Sequence, residues 1–288
     1  MSEAHGGYYV PHQSHWPIVG SIGLFVLMAG FASLLNGASF GPTLMMAGGL
    51  ITVLMMVGWF GTVIRENQQG MYHAREDMSF RWGMGWFIFS EVMFFAAFFG
   101  ALFYARVLSV PWLGGAEPEQ WTHQLLWQGF EAGWPTNGPA GVGGEFQPMA
   151  AWGIPALNTL ILLSSGVTVT WAHWGIKEGN RRKQIGGLAA TVALGFLFMA
   201  FQVYEYGEAY SHLNLTLQSG IYGSTFFMLT GFHGMHVTVG AIMLLVMLGR
   251  AIAGHFTEDN HFAFEAAAWY WHFVDVVWLG LFVFVYWL

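Results

Sequence analysis

Seven stretches of mostly apolar residues, each about 20 long or more, limit what this chain can fold into more than any other feature. They are Trp16–Leu35, Leu44–Ile64, Trp82–Tyr104, Ile154–Trp174, Ile185–Tyr204, Ile221–Leu248 and Ala266–Leu288. At about 1.5 Å of rise per residue, each can cross a hydrocarbon core about 30 Å thick. Lipid offers a backbone no hydrogen-bond partner, so a spanning segment must close its own bonds, and the runs lack the period-two alternation of barrel strands. The expected fold is all-α: one polytopic membrane domain over residues 1–288 with seven transmembrane helices. Charged residues at 9% and aromatics at 18% agree with that class.

The remaining composition narrows the function. A net charge of −7, spread over loops, points neither to nucleic acid nor to a basic surface anchor. Without cysteine there is no disulfide, no thiolate metal site and no Cys-x-x-Cys-His haem attachment. Met1–Pro17 holds no Lys or Arg, which reads against a cleaved secretory signal, so the first run is expected to remain as a spanning helix.

Basic residues set the expected orientation. With the amino terminus inside, Arg65, Arg75, Arg81, Lys177, Arg181, Arg182, Lys183 and Arg250 fall at inner ends, leaving Arg106 alone outside. The chain then runs N-in and C-out. The outer loops carry Glu117, Glu119, Glu131, Glu145, Glu205 and Glu208. The long outer segment Pro111–Pro155 is rich in Gly and contains Trp112, Trp121, Trp127, Trp134 and Trp152, which suits a folded loop lying over the outer face or against a partner.

Few polar groups lie deep in the runs. Glu91 interrupts Trp82–Tyr104 roughly 14 Å from its start, near the bilayer middle, where an unpaired charge costs several kcal/mol. The sixth run holds His233 and His236, and the seventh holds His272 and Asp275; spacing of three puts each pair on one helix face. The fourth ends in Trp171-Ala-His-Trp174. Such pairs can ligate a metal, but haem needs histidines from facing helices, and a carboxylate di-metal bundle needs several Glu with Glu-x-x-His inside the runs. The apolar runs have neither several acids nor that signature. Hydrogen bonding between helices is therefore the expected use of these groups, with no catalytic residue and no metal ligand in this chain. A proton relay would want several acids along one route, so an independent proton-coupled transporter is the less favoured alternative. Glu91 is expected to be a carboxyl kept protonated by its apolar setting, bonded to a neighbouring helix or facing a partner. Ala96 and Gly100, and Gly223, Gly231, Gly234 and Gly240, suggest close helix packing. Trp59, Arg65, His73, Arg250 and His255 gather near inner helix ends, at the level of lipid headgroups.

Several motifs together resemble one family. Ser90-Glu-Val-Met-Phe-Phe95, Ser165-Gly-Val-Thr-Val-Thr-Trp-Ala-His173, Tyr222-Gly-Ser-Thr-Phe-Phe227, Thr230-Gly-Phe-His-Gly-Met-His-Val237 and Phe264-Glu-Ala-Ala-Ala-Trp-Tyr-Trp-His-Phe-Val-Asp-Val-Val-Trp278 are similar to subunit III of aa3-type, haem-copper cytochrome c oxidase, from about Trp16 to the carboxyl end. The resemblance implies a non-redox subunit docked on catalytic subunit I, with subunit II in the same complex. Helices one and two would be split from three to seven by a lipid-filled cleft. Haem a, haem a3 and copper would belong to the partner subunits, and bound phospholipid would be the ligand of this chain. The implied roles are to stabilise subunit I during turnover, sustain proton uptake and give oxygen access in a proton-pumping enzyme. Glu91 matches the family's buried carboxyl, and Trp59, Arg65, Glu66, His73, Arg250 and His255 match its lipid-contact positions. Phe60-Gly-Thr62 and Ala253 replace charged residues of some relatives, so the headgroup grip is expected to differ. A quinol oxidase subunit III is the nearest alternative, and a respiratory supercomplex is a compatible setting. The length of Pro111–Pro155 favours a bacterial inner membrane over the mitochondrial one.

Overall fold

The computed structural model describes residues 9, 13–116 and 121–288; Glu117, Glu119 and most of the stretch before the first helix lie outside them. Among the described residues the regular elements are helices, and seven segments are long and apolar enough to cross a membrane. The helices are α1 (Trp16–Leu35), α2 (Gly41–Gln68), α3 (Ala74–Phe103), the short α4 (Val110–Leu113) and α5 (Trp121–Leu126), α6 (Ile154–Lys177), α7 (Arg181–His212), α8 (Gly220–Ala253) and α9 (Phe262–Leu281).

Most of the long helices outrun the apolar stretches that announce them. An apolar run marks only the hydrocarbon depth, whereas the hydrogen-bond ladder continues until something stops it. Proline falls at the start of α1, α2 and α6, where its missing N–H costs nothing. Glu76 and Asp77 suit the electropositive first turn of α3, and Asn180 caps α7 by accepting from the Lys183 N–H at 3.1 Å. Gly254, at φ 78°, ends α8 in the left-handed conformation that glycine adopts without strain. After α3 the backbone widens into a π-helical stretch over Tyr104–Ser109, with the Val110 N–H bonded to the Ala105 carbonyl. Pro111 follows at once; it offers no N–H and its ring crowds the preceding turn, which accounts for the widening.

Two compact units divide the chain at Trp82. The amino-terminal unit is built on an antiparallel α1–α2 hairpin held by close backbone approach. A Cβ added at Gly30 would strike the backbone of Leu44 and Met45, and one at Gly48 would strike that of Leu27, so only glycine lets these helices meet. Trp16 closes one end, its indole N–H donating to Thr62 Oγ1 at 3.2 Å.

The second unit holds the rest of α3 and α6 to α9. Here α6 and α7 run antiparallel, Gly175 meeting Gln184 and Gly187 meeting Ala172. Its centre is α9, the most buried of the spanning segments. The Trp271 ring fits between α7 and α8 because Gly195 and Gly240 leave room, a Cβ at either falling 2.8 Å from it. Its N–H donates to Ser165 Oγ at 2.8 Å, and that of Trp278 to Thr159 Oγ1 at 2.9 Å, so both buried indoles are satisfied. Part of the segment between α3 and α6 folds onto the α7–α8 end. The Trp134 and Phe146 rings pack against Tyr222, and Asn214 Nδ2 donates to the Gly143 and Glu145 carbonyls at 3.2 and 2.8 Å.

Candidate functional site

Glu91 on α3 faces His236 on α8 in the second unit, carboxylate Oε2 to imidazole Nε2, at 2.7 Å. The other ring nitrogen of His236, Nδ1, lies 2.6 Å from the Phe232 carbonyl, which can only accept, so Nδ1 carries a hydrogen. A neutral imidazole then presents a lone pair at Nε2, and the short contact to Glu91 requires one proton between them. The pair is neutral as a whole in either form, as a carboxylic acid donating to imidazole or as an ion pair. Phe94, Phe95 and Tyr270 pack against the His236 ring at 5.8, 4.9 and 6.3 Å, giving the pair an apolar wall.

The neighbouring polar groups are also turned inward. His233, 1% exposed, places Nε2 3.2 Å from the Val274 carbonyl and its ring 5.0 Å from Trp278. His272 Nδ1 lies 3.5 Å from Asp275 Oδ2, and its Nε2 lies 3.3 Å from Thr170 Oγ1. Asp275 sits where Gly166 leaves space, since a Cβ there would fall 2.5 Å from Oδ2. The two sequence pairs thus use different partners: His236 reaches α3, while His233, His272 and Asp275 join α6, α8 and α9.

Two acids depart from the sequence reading, Glu205 and Glu208, both of which lie within α7. Glu205, read as an outer-loop residue, is buried within α7 at 0% exposure. The apolar run ends at Tyr204, but the helix continues to His212 and carries the next carboxyl inward. Its Oε1 accepts from the Tyr286 hydroxyl at 2.6 Å and from Gln202 Nε2 at 3.3 Å.

The residues matched to lipid positions fall in both units. In the first, Trp59 is half-exposed and stacked on Phe60, Arg65 is exposed, and Glu66 accepts from the hydroxyls of Tyr72 at 2.5 Å and Tyr9 at 3.3 Å. Burial and the bond to this carboxylate push the Tyr72 phenol above its usual pKa. His73 is exposed, and its backbone N–H donates to Glu76. In the second unit Arg250 is buried, its guanidinium 4.7 Å over the Phe256 ring, and His255 is half-buried. Ala96 and Gly100 do not pack as the small-residue reading expects: both are exposed, and Gly100 with Ala97 and Ala101 lines an apolar groove of about 720 Å³ that reaches Pro139 and Ile221. One group among the described residues has metal-ligand geometry, His173 with His261 and Glu265.

A family model described as "Cytochrome c oxidase subunit III" matches residues 6–288. The chain is 43% identical over 286 residues to the cytochrome c oxidase subunit 3 of Carassius auratus, covering 99% of this chain and 98% of the relative. It is 40% identical to that of Equus caballus over 289 residues, covering 100% and 99%. With that of Squalus acanthias it shares 42% over 286 residues, covering 99% and 98%.

Proposed function

Because this chain belongs to the cytochrome c oxidase subunit III family, we propose that it serves its oxidase complex as a non-redox membrane subunit that stabilises catalytic subunit I during turnover. The observation that carries this reading is the Glu91–His236 pair. The carboxyl that interrupts the third apolar run is closed on a neighbouring helix as a neutral couple, an arrangement that pins α3 to α8 and presents no free acid to a reacting centre. His233, with Nε2 at a backbone carbonyl and its ring on Trp278, belongs to the same bundle scaffold. The redox centres, haem a, haem a3 and copper, reside in subunits I and II, and electrons from cytochrome c reach oxygen there.

Phospholipid is the ligand of this chain. Exposed Arg65 and Trp59 suit a headgroup and its glycerol region, while the groove beside Gly100 suits an acyl chain. Ordered lipid against these helices also gives oxygen, an apolar solute, a phase in which to approach. Support of proton uptake by a proton-pumping complex completes the role. The setting is a bacterial inner membrane, on the length of the 111–155 segment. The test is to purify the complex with and without this chain and follow turnover over time. Intact haem spectra with faster inactivation on removal support the role; unchanged inactivation kinetics would overturn it.

A further inference from the structure

Three side chains that this role does not use converge where α6 ends and α9 begins. His173 lies one turn before the end of α6, His261 caps α9, and Glu265 lies in its first turn. His261 Nε2 is 3.1 Å and His173 Nε2 is 3.6 Å from the same carboxylate oxygen, Glu265 Oε1. The three donor atoms lie within 4.8 Å of one another. The side chains are only 23%, 9% and 13% exposed for His173, His261 and Glu265, so water covers little of this cluster.

Proton counting separates this site from the Glu91–His236 pair. His261 Nδ1 lies 2.9 Å from the Thr257 carbonyl and must donate to it, which leaves a lone pair on Nε2. That lone pair points at a carboxylate oxygen, and His173 Nε2 comes to the same oxygen from another helix; neither Nε2 makes a hydrogen bond. In the Glu91 pair one proton satisfies two groups. Here a second imidazole nitrogen joins the His261 lone pair and the carboxylate oxygen, and with His173 in its Nδ1-protonated tautomer one proton cannot bridge all three.

A cation can. Two imidazole nitrogens and a carboxylate oxygen, with a fourth position left to water, are the donor set of a borderline divalent ion. Around zinc, with bonds of about 2.0–2.1 Å, tetrahedral donors are about 3.3 Å apart. The observed 3.1 and 3.6 Å bracket that separation. The Thr257 carbonyl on Nδ1 is the outer contact that fixes a metal-ligating histidine in the right tautomer. Exposed Glu258 and Asp259 in the same loop add attraction for a cation, and Lys177, one turn beyond His173, opposes it. We propose that His173, His261 and Glu265 form a divalent transition-metal site of the zinc class, tying the carboxyl end of α6 to the amino end of α9.

The test uses the intact oxidase complex, stripped with a chelator and re-equilibrated with micromolar zinc. The complex is expected to hold one more zinc than complexes carrying His261→Gln or Glu265→Gln, each with unchanged haem spectra. Anomalous diffraction from the unmutated complex at the zinc edge should place a peak among the three side chains. Equal zinc content in all three preparations, or no peak at this position in saturating zinc, overturns the proposal.

Discussion

Glu91 and His236 hold one proton between them, and which of the two carries it sets the chemistry of the pair. In a low-dielectric setting the neutral arrangement avoids separating charge, so the carboxyl is expected to bear the proton. A hydrophobic carbodiimide, which requires a protonated carboxyl, should then label Glu91; mass-spectrometric mapping without that adduct would identify the ion-pair form. Glu91→Gln keeps a donor toward His236 Nε2 and should retain most of the oxygen-reduction rate, whereas a loss like that of a redox-ligand deletion would contradict a pinning role. Tyr286→Phe removes a donor from buried Glu205 and should lower stability by about 1–3 kcal/mol, read as an earlier thermal transition of the detergent-solubilised complex. The two acids differ in legibility. Glu91 stands out as a lone acid inside an apolar run, but Glu205 follows the end of one, where nothing local marks whether the helix stops.

The helices themselves were legible, and their contacts were not. Each apolar run became a helix because a bilayer-spanning backbone has to bond to itself. Glycine shows the limit: Gly100 resembled a packing residue and lines an open groove, while Gly48 carries the α1–α2 contact. Gly48→Leu should force the hairpin apart, costing about 1–3 kcal/mol or more, whereas Gly61→Ala, with no atom within 4 Å of the added Cβ, should be silent. Limited proteolysis of the 36–40 turn in the assembled complex distinguishes the two. Asn214→Ala deletes both side-chain bonds to the 143–145 backbone and should speed cleavage within the 134–152 stretch without altering the spanning helices.

For the whole molecule, a large apolar surface is left exposed, including Phe25, Met46 and Trp82, and in the membrane this surface meets lipid or another subunit. Removing the chain should therefore leave the redox centres spectroscopically intact while shortening the working life of the oxidase, followed as the decay of oxygen uptake during sustained turnover. Hydropathy over about 20 residues is a local property, and the bilayer acts on it as a solvent, so the sequence by itself determined a membrane protein of seven spanning helices and marked Glu91 and Asp275 as acids costly to leave unpaired there. Which groups meet is a matter of helix rotation and register. Helices apolar nearly all the way round carry little rotational information, and only tertiary packing decided that Glu91 meets His236, that α7 buries Glu205, and that His173, His261 and Glu265 share one point.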